Sequence, residues 1–218
     1  MQPLATVIFD FDSTFVTVET LDELARIAVS NNPQKEEVLK KIQEITRLGM
    51  EGSIDFPTSL FRRLALFKAN KAHIDLLILF LKSHITPSIF RNREFFQKNK
   101  DRIYIISGGF IEYIAPIVSD FGIAHDHILA NRFTFNEKND IIGFDTDNYL
   151  AQIGGKAKAV VSLNLNNEVH IIGDGYTDFE IREKLSTSRF YAFTENVVRP
   201  EVAKRADKVI ASFDEYLT

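Results

Sequence analysis

A chain of 218 residues with 45% hydrophobic side chains can bury a full core, as one large domain or as one domain carrying an insertion. Its 26 basic and 30 acidic residues are interspersed and sum to −4, which excludes the broad basic footprint of a nucleic-acid or anionic-membrane binder and leaves small molecules as the expected partners. The absence of cysteine excludes a disulfide framework, a thiolate metal site and a cysteine nucleophile. With no basic segment and long apolar stretch at the N-terminus, and with the longest apolar run confined to "IDLLILFLK" at 74–82, the expectation is a soluble, cytoplasmic protein.

In chain order, "TVIF" at 6–9 predicts a first buried strand, ending in two aspartates, Asp10 and Asp12. About ninety residues then precede the next strand pattern, far more than a single crossover helix requires. Helix signals fill them. Thr20 to Glu23 has capping-box spacing before Leu21, Leu24, Ala25 and Ala28. Val38, Ile42, Ile45 and Leu48 form a stripe expected to stop at Gly49. Pro57 suits a helix start ahead of Leu60, Phe61, Leu64 and Phe67, and Ile74, Leu77, Ile78 and Leu81 continue the pattern. These predict a helical insertion over residues 15–86. Further strands are expected in "RIYIIS" (102–107), "EVHIIG" (168–173), "RFYAF" (189–193) and "KVIA" (208–211), and two short strands around a polar turn within 131–145. Continuous apolar strands alternating with helices imply an α/β fold, a doubly wound, Rossmann-like parallel sheet covered on both faces.

In such sheets ligands bind at the carboxyl ends of the strands. Asp10 and Asp12 occupy one such end, "SGG" (Ser107, Gly108, Gly109) a second, and "GDGYTD" with Asp174 and Asp178 a third. Two carboxylates at the end of a buried strand call for a cation or a raised pKa. Oxygen-only ligands without His or Cys select a hard cation such as Mg²⁺. The SGG backbone and the Ser107 hydroxyl can hold a phosphate, and Lys156, at an expected helix start in "IGGKAKAV", can add a positive charge. Taken singly, each piece has an ordinary explanation: aspartates cap turns, SGG and GDG form loops, and lysines sit on surfaces. Together and in this order they are the parts of a phosphoryl-transfer site. The histidines show no metal-ligand spacing apart from "HDH" at 125–127, which also reads as a loop.

The ordered set "DFDST" (10–14), "SGG" (107–109), Lys156 and "GDGYTD" (173–178) resembles the haloacid dehalogenase superfamily, and within it the phosphoserine phosphatase family, over about residues 7–217. The resemblance implies a core of residues 1–14 and 87–218, a helical cap of residues 15–86, and a Mg²⁺-dependent phosphomonoester hydrolase of L-serine biosynthesis. It implies Asp10 as the nucleophile forming an aspartyl-phosphate, Asp12 as the general acid and then base, Mg²⁺ held by Asp10, Asp12, Asp174 and Asp178, and phosphate held by Ser107, Gly108, Gly109 and Lys156. It further implies Glu19 for a substrate ammonium group, Arg63 for its carboxylate, Phe56 as an apolar wall, and Thr177 as a substrate contact. Glu19 has an alternative role at the start of a helix, and Arg63 as a surface residue. Tyr176 departs from a usually small position, and Ala157 from a glycine. Other readings are a phosphatase for another small phosphomonoester, a receiver-like phospho-aspartate module, and an inactive binding protein that keeps the fold. Oligomeric state leaves no mark in the sequence.

Overall fold

The structure, a computed structural model, describes residues 5–218, so the first four residues of the expected core segment lie outside the described residues. Strand β1 (Thr6–Phe9) is buried on both faces, which is why its sequence is an unbroken apolar run. The chain then makes one wide turn over Phe11–Phe15, closed by the Val16 N–H donating to the Phe11 carbonyl at 3.0 Å. Helices α1 (Thr20–Ala28), α2 (Lys35–Met50), α3 (Phe56–Leu64) and α4 (Lys71–Leu81) follow, then α5 (Pro87–Arg91) and α6 (Arg93–Asn99) lead to β2 (Ile103–Phe110). Next come α7 (Ile111–Val118), β3 (Ile128–Asn131), the antiparallel pair β4 (Phe133–Phe135) and β5 (Ile141–Phe144), and α8 (Gly155–Ser162). The chain ends with β6 (Val169–Gly173), α9 (Tyr176–Lys184), β7 (Ser188–Phe193), α10 (Pro200–Ala203), β8 (Lys208–Ile210) and α11 (Asp214–Leu217).

The main sheet has the order β3-β2-β1-β6-β7-β8, with every neighbouring pair parallel. The chain winds outward from β1 through β2 to β3, then returns to the other side of β1 and winds outward again. That reversal puts the carboxyl ends of β1, β2 and β6 side by side at the topological switch point. Alternation along β1 feeds two cores. Val7 and Phe9 face a phenylalanine-rich layer, where the Phe96 ring lies 5.0 Å from Phe9, 5.6 Å from Phe15, 5.5 Å from Phe121 and 5.4 Å from Phe213. Ile8 faces the opposite layer, with Ile106, Val160, Ile171 and Phe190.

The structure differs from the sequence expectations in three places. Strand β3 was not anticipated, because "ILAN" is short and half of it lacks β-preferring side chains. The stripe of α2 runs past Gly49, which lies inside the helix against Ser59, and ends at Met50. The capping box at Thr20 does not form: α1 has no side-chain cap of its own, and the Asp12 carboxylate accepts the Thr20 N–H at 2.9 Å instead. The "HDH" histidines form a single 3-10 turn, where the His127 ring stacks on Tyr104 and its Nδ1 lies 2.9 Å from the Ile103 carbonyl. Among the described residues no helix is long and apolar enough to cross a membrane.

Helices α1 to α4 leave and rejoin the core at one point. Val16 and Ile85 form an antiparallel bridge, the Thr17 N–H donates to His84 O at 2.9 Å, and the Thr86 N–H donates to Phe15 O at 3.0 Å. Asn196 secures this junction, donating at 2.7 Å to the Thr86 hydroxyl and at 3.0 Å to the Ser13 carbonyl. Truncating the fully buried Phe96 to Ala is expected to cost about 3–5 kcal/mol, read as a lower urea midpoint, because four neighbouring rings lose their common contact.

Candidate active site

The strand ends gather buried charge. Asp10 follows β1, and one of its oxygens, Oδ1, accepts both the Phe11 N–H and the Lys156 ammonium, each at 2.7 Å. Lys156 is placed by the first turn of α8 and also reaches Asp178 Oδ1 at 2.7 Å. Burial alone would lower the Lys156 pKa, but the carboxylates of Asp10 and Asp178 hold it above its ordinary value. Asp178 sits in α9, and its other oxygen accepts the Gly175 N–H at 3.1 Å. A Cβ on Gly173 would lie 2.4 Å from the Asp178 carboxyl carbon, so the glycine ending β6 is what lets this side chain fold back over the strand.

Asp10, Asp174 and Asp178 each offer an oxygen within 4.8 Å of the others, and all three are buried. Burial first, then neighbouring negative charge, pushes Asp178 up to about 8 and raises Asp174 as well. Buried carboxylates this close, without His or Cys, fit a hard divalent cation, whose charge would offset the repulsion that raises them.

Asp12 lies in the wide turn, and burial, followed by the charge of Asp10, pushes it up to about 7. Glu19, immediately before α1, is pushed up to about 8 by burial and then by Asp12 and Asp174. It accepts the Ser13 hydroxyl at 2.8 Å. Arg63, from α3, is 4% exposed and turned inward, with one nitrogen 3.3 Å from the Thr46 hydroxyl and 3.5 Å from Asp22. The surface alternative for Arg63 therefore fails. Thr46 donates in turn to Asp22 at 2.8 Å, so α1, α2 and α3 jointly fix the guanidinium.

A single cleft of about 660 Å³, counted to its mouth, is bounded by Asp10, Asp12, Glu19, Phe56, Arg63, Gly108, Gly109, Lys156 and Thr177. A Cβ on Gly108 would lie 2.4 Å from the Phe56 ring, so only glycine admits that ring against the end of β2. Ser107, Asp174 and Asp178 stand behind the cleft wall, and the Ser107 hydroxyl accepts the Gly109 N–H at 2.9 Å. Tyr176 shares the cleft wall with Gly49 and Met50, between core and helical insertion, and its ring packs beneath the Arg205 guanidinium at 5.3 Å.

A model of the haloacid dehalogenase-like hydrolase family matches residues 7–182. The chain belongs to that family. Within the family it is 32% identical over 214 residues to the phosphoserine phosphatase of Homo sapiens, an alignment covering 97% of this chain and 91% of that one. A phosphoserine phosphohydrolase-like protein from Francisella tularensis superimposes with a TM-score of 0.87 at 30% identity, over 98% of both chains. A structure of a phospho-aspartyl intermediate analogue of phosphoserine phosphatase superimposes with a TM-score of 0.74 at 25% identity, over 97% of this chain and 96% of that one.

Sequence reasoning missed Arg199, at the start of α10. It donates through Nε to Asp174 at 2.8 Å and stands 3.3 Å from Glu19, linking a strand-end carboxylate to the helical insertion. Only "VRPE" just before a helix hinted at it, and Arg–Pro at a helix start is unremarkable. Asp22, Thr46 and Tyr113 were missed for the same reason, since none stands at a strand end. Arg199→Met is expected to destabilise the protein by about 2 kcal/mol in chelator, with part of the loss recovered in Mg²⁺ because a bound cation takes over the charge of Asp174. Thermal unfolding in both buffers checks this, and an equal loss in each would refute the coupling.

Proposed function

We propose that this chain is a Mg²⁺-dependent phosphomonoester hydrolase whose substrate is L-phosphoserine, released as serine and phosphate through an aspartyl-phosphate on Asp10. One observation carries the reading: the Asp10, Asp12 and Lys156 cluster opens into the same cleft as Glu19 and Arg63. The family membership and the printed names of the human and Francisella relatives support it.

Asp10 Oδ1 is engaged by Phe11 and Lys156, and Oδ2 has no hydrogen bond among the described residues, so Oδ2 is the oxygen presented to phosphorus. Its attack forms the acyl-phosphate P–O bond as the ester P–O bond to the serine oxygen breaks. Asp12, protonated up to about pH 7, gives its proton to that departing oxygen. Water then attacks phosphorus, giving a proton to Asp12, as the P–O bond to Asp10 breaks and phosphate leaves with the Asp10 carboxylate restored. Lys156 pairs with Asp10 and offsets charge on the transferring group. A divalent cation held by Asp10, Asp174 and Asp178, with the backbone of Asp12, would neutralise phosphate charge. Gly108 and Gly109 line the same space, where backbone unshielded by side chains can come close to phosphate oxygens. Glu19 meets the substrate ammonium and Arg63 its carboxylate, with the Phe56 ring as the wall between loop and cap. Helices α1 to α4 act as the cap that keeps bulk water from the acyl-phosphate.

The test is phosphate release from L-phosphoserine, phosphoethanolamine, a sugar phosphate and an aryl phosphate, in Mg²⁺ and in chelator. Phosphoserine is expected to be preferred, chelator to abolish turnover, and Asp10→Asn to reduce it by at least about 10³-fold. Arg63→Ala is expected to lower kcat/KM about 10²-fold for phosphoserine and far less for phosphoethanolamine. Equal losses on both substrates would refute the role of Arg63.

A further inference from the structure

The cleft holds more hydrogen-bond donors than these roles use. Among the described residues, the Tyr113 phenol, the Thr20 hydroxyl and Arg63 Nε are buried without a hydrogen-bond partner. Tyr113 and Thr20 are both 0% exposed. Tyr113 lies in the first turn of α7, directly after the Ser-Gly-Gly loop, and lines the cleft with Arg63. A Cβ on Gly109 would be 3.0 Å from its hydroxyl oxygen, so the phenol lies against Gly109 near the end of β2. Burial, then the charge of Asp12, raises the phenol well above its ordinary pKa, so it remains a protonated donor. Thr20 neighbours both Asp12 and Tyr113, short of a well-formed hydrogen bond.

Tyr113 and Arg63 line the cleft and Thr20 stands behind its wall, and orphaned donors identify what they lack. Asp12 accepts the Thr20 N–H, Glu19 accepts from Ser13 and faces Arg199, and neither carboxylate forms a hydrogen bond with the Tyr113 hydroxyl. The missing partner is an acceptor brought by the ligand, and one of the three donors is on the arginine assigned to a carboxylate. We propose that Tyr113, with Thr20 beside it, is a specificity-determining residue that donates its phenolic hydrogen bond to the substrate carboxylate held by Arg63. This rests on the reading of Arg63 given above. An aromatic hydroxyl here distinguishes a phosphorylated amino acid from a phosphorylated amine, because only the former fills all three donors.

Tyr113→Phe keeps the shape and removes only the hydroxyl. The ratio of kcat/KM for phosphoserine to that for phosphoethanolamine is expected to fall about tenfold, mostly through KM for phosphoserine. Inhibition of aryl-phosphate hydrolysis by L-serine is expected to weaken by a similar factor, while Tm does not fall because an unpaired buried hydroxyl has been removed. A preference for phosphoserine in the unmodified enzyme that Tyr113→Phe leaves unchanged overturns the inference alone, as does a lowered Tm with equal losses on both substrates. An unmodified enzyme with no preference between the two substrates removes the carboxylate reading, and the inference with it.

Discussion

Buried negative charge is the constraint on which the rest of the site depends. Asp10, Asp12, Glu19, Asp174 and Asp178 converge behind or within one cleft, and Lys156 and Arg199 are the cations placed among them. Lys156 bridges Asp10 to Asp178, and Arg199 bridges Asp174 to Glu19, so four of the five acids are tied into two pairs and Asp12 stands outside both. Burial first, and then neighbouring negative charge, raises Asp12, Glu19, Asp174 and Asp178 despite these bridges. A site with this imbalance has an electrostatic demand for a dication. It also has a carboxyl that can carry a proton near neutrality, which general acid catalysis requires.

The fold supplies the positions cheaply. Reversal of winding at β1 and β6 places three strand ends within one crevice, and the wide turn after β1 sends Asp10 and Asp12 to different tasks although only Phe11 separates them. Asp10 is held by its own turn and Lys156, whereas Asp12 is bound to the first N–H of α1. The carboxylate given the acid role is therefore also the cap of the first helix of the insertion. The placement of those helices and the geometry of Asp12 are linked through that hydrogen bond, with Arg199 to Glu19 as a second link.

Selectivity is built from the opposite side. Asp22, Thr46 and Arg63 form a chain across α1, α2 and α3, so the arginine fork is fixed by the cap rather than by the core. The Phe56 ring rests on Gly108, which brings the helical insertion against the end of β2 at the cleft wall. Tyr176 packs against Arg205 and Phe179 and contributes to the cleft wall.

Much of this was legible in one dimension, for a definite reason. Chemistry at the ends of parallel strands leaves an apolar run followed at once by acids or glycines, as at Phe9–Asp10, Ile106–Ser107 and Gly173–Asp174, and a parallel sheet forces such ends together. The sequence by itself thus determined the doubly wound fold, the strand-end acids and the long helical stretch between the first two central strands. It did not reveal β3, whose four residues carry too little β preference, nor that Asp12 rather than Thr20 caps α1. Arg199, Asp22, Thr46 and Tyr113 were invisible for a common reason: each lies within or beside a helix, and its importance comes from what packs opposite it. Burial and opposing charge are properties of assembled elements. Only the tertiary structure could decide that Arg63 turns inward, that Arg199 spans core and insertion, and that a tyrosine hydroxyl waits unpaired beside the phosphate loop.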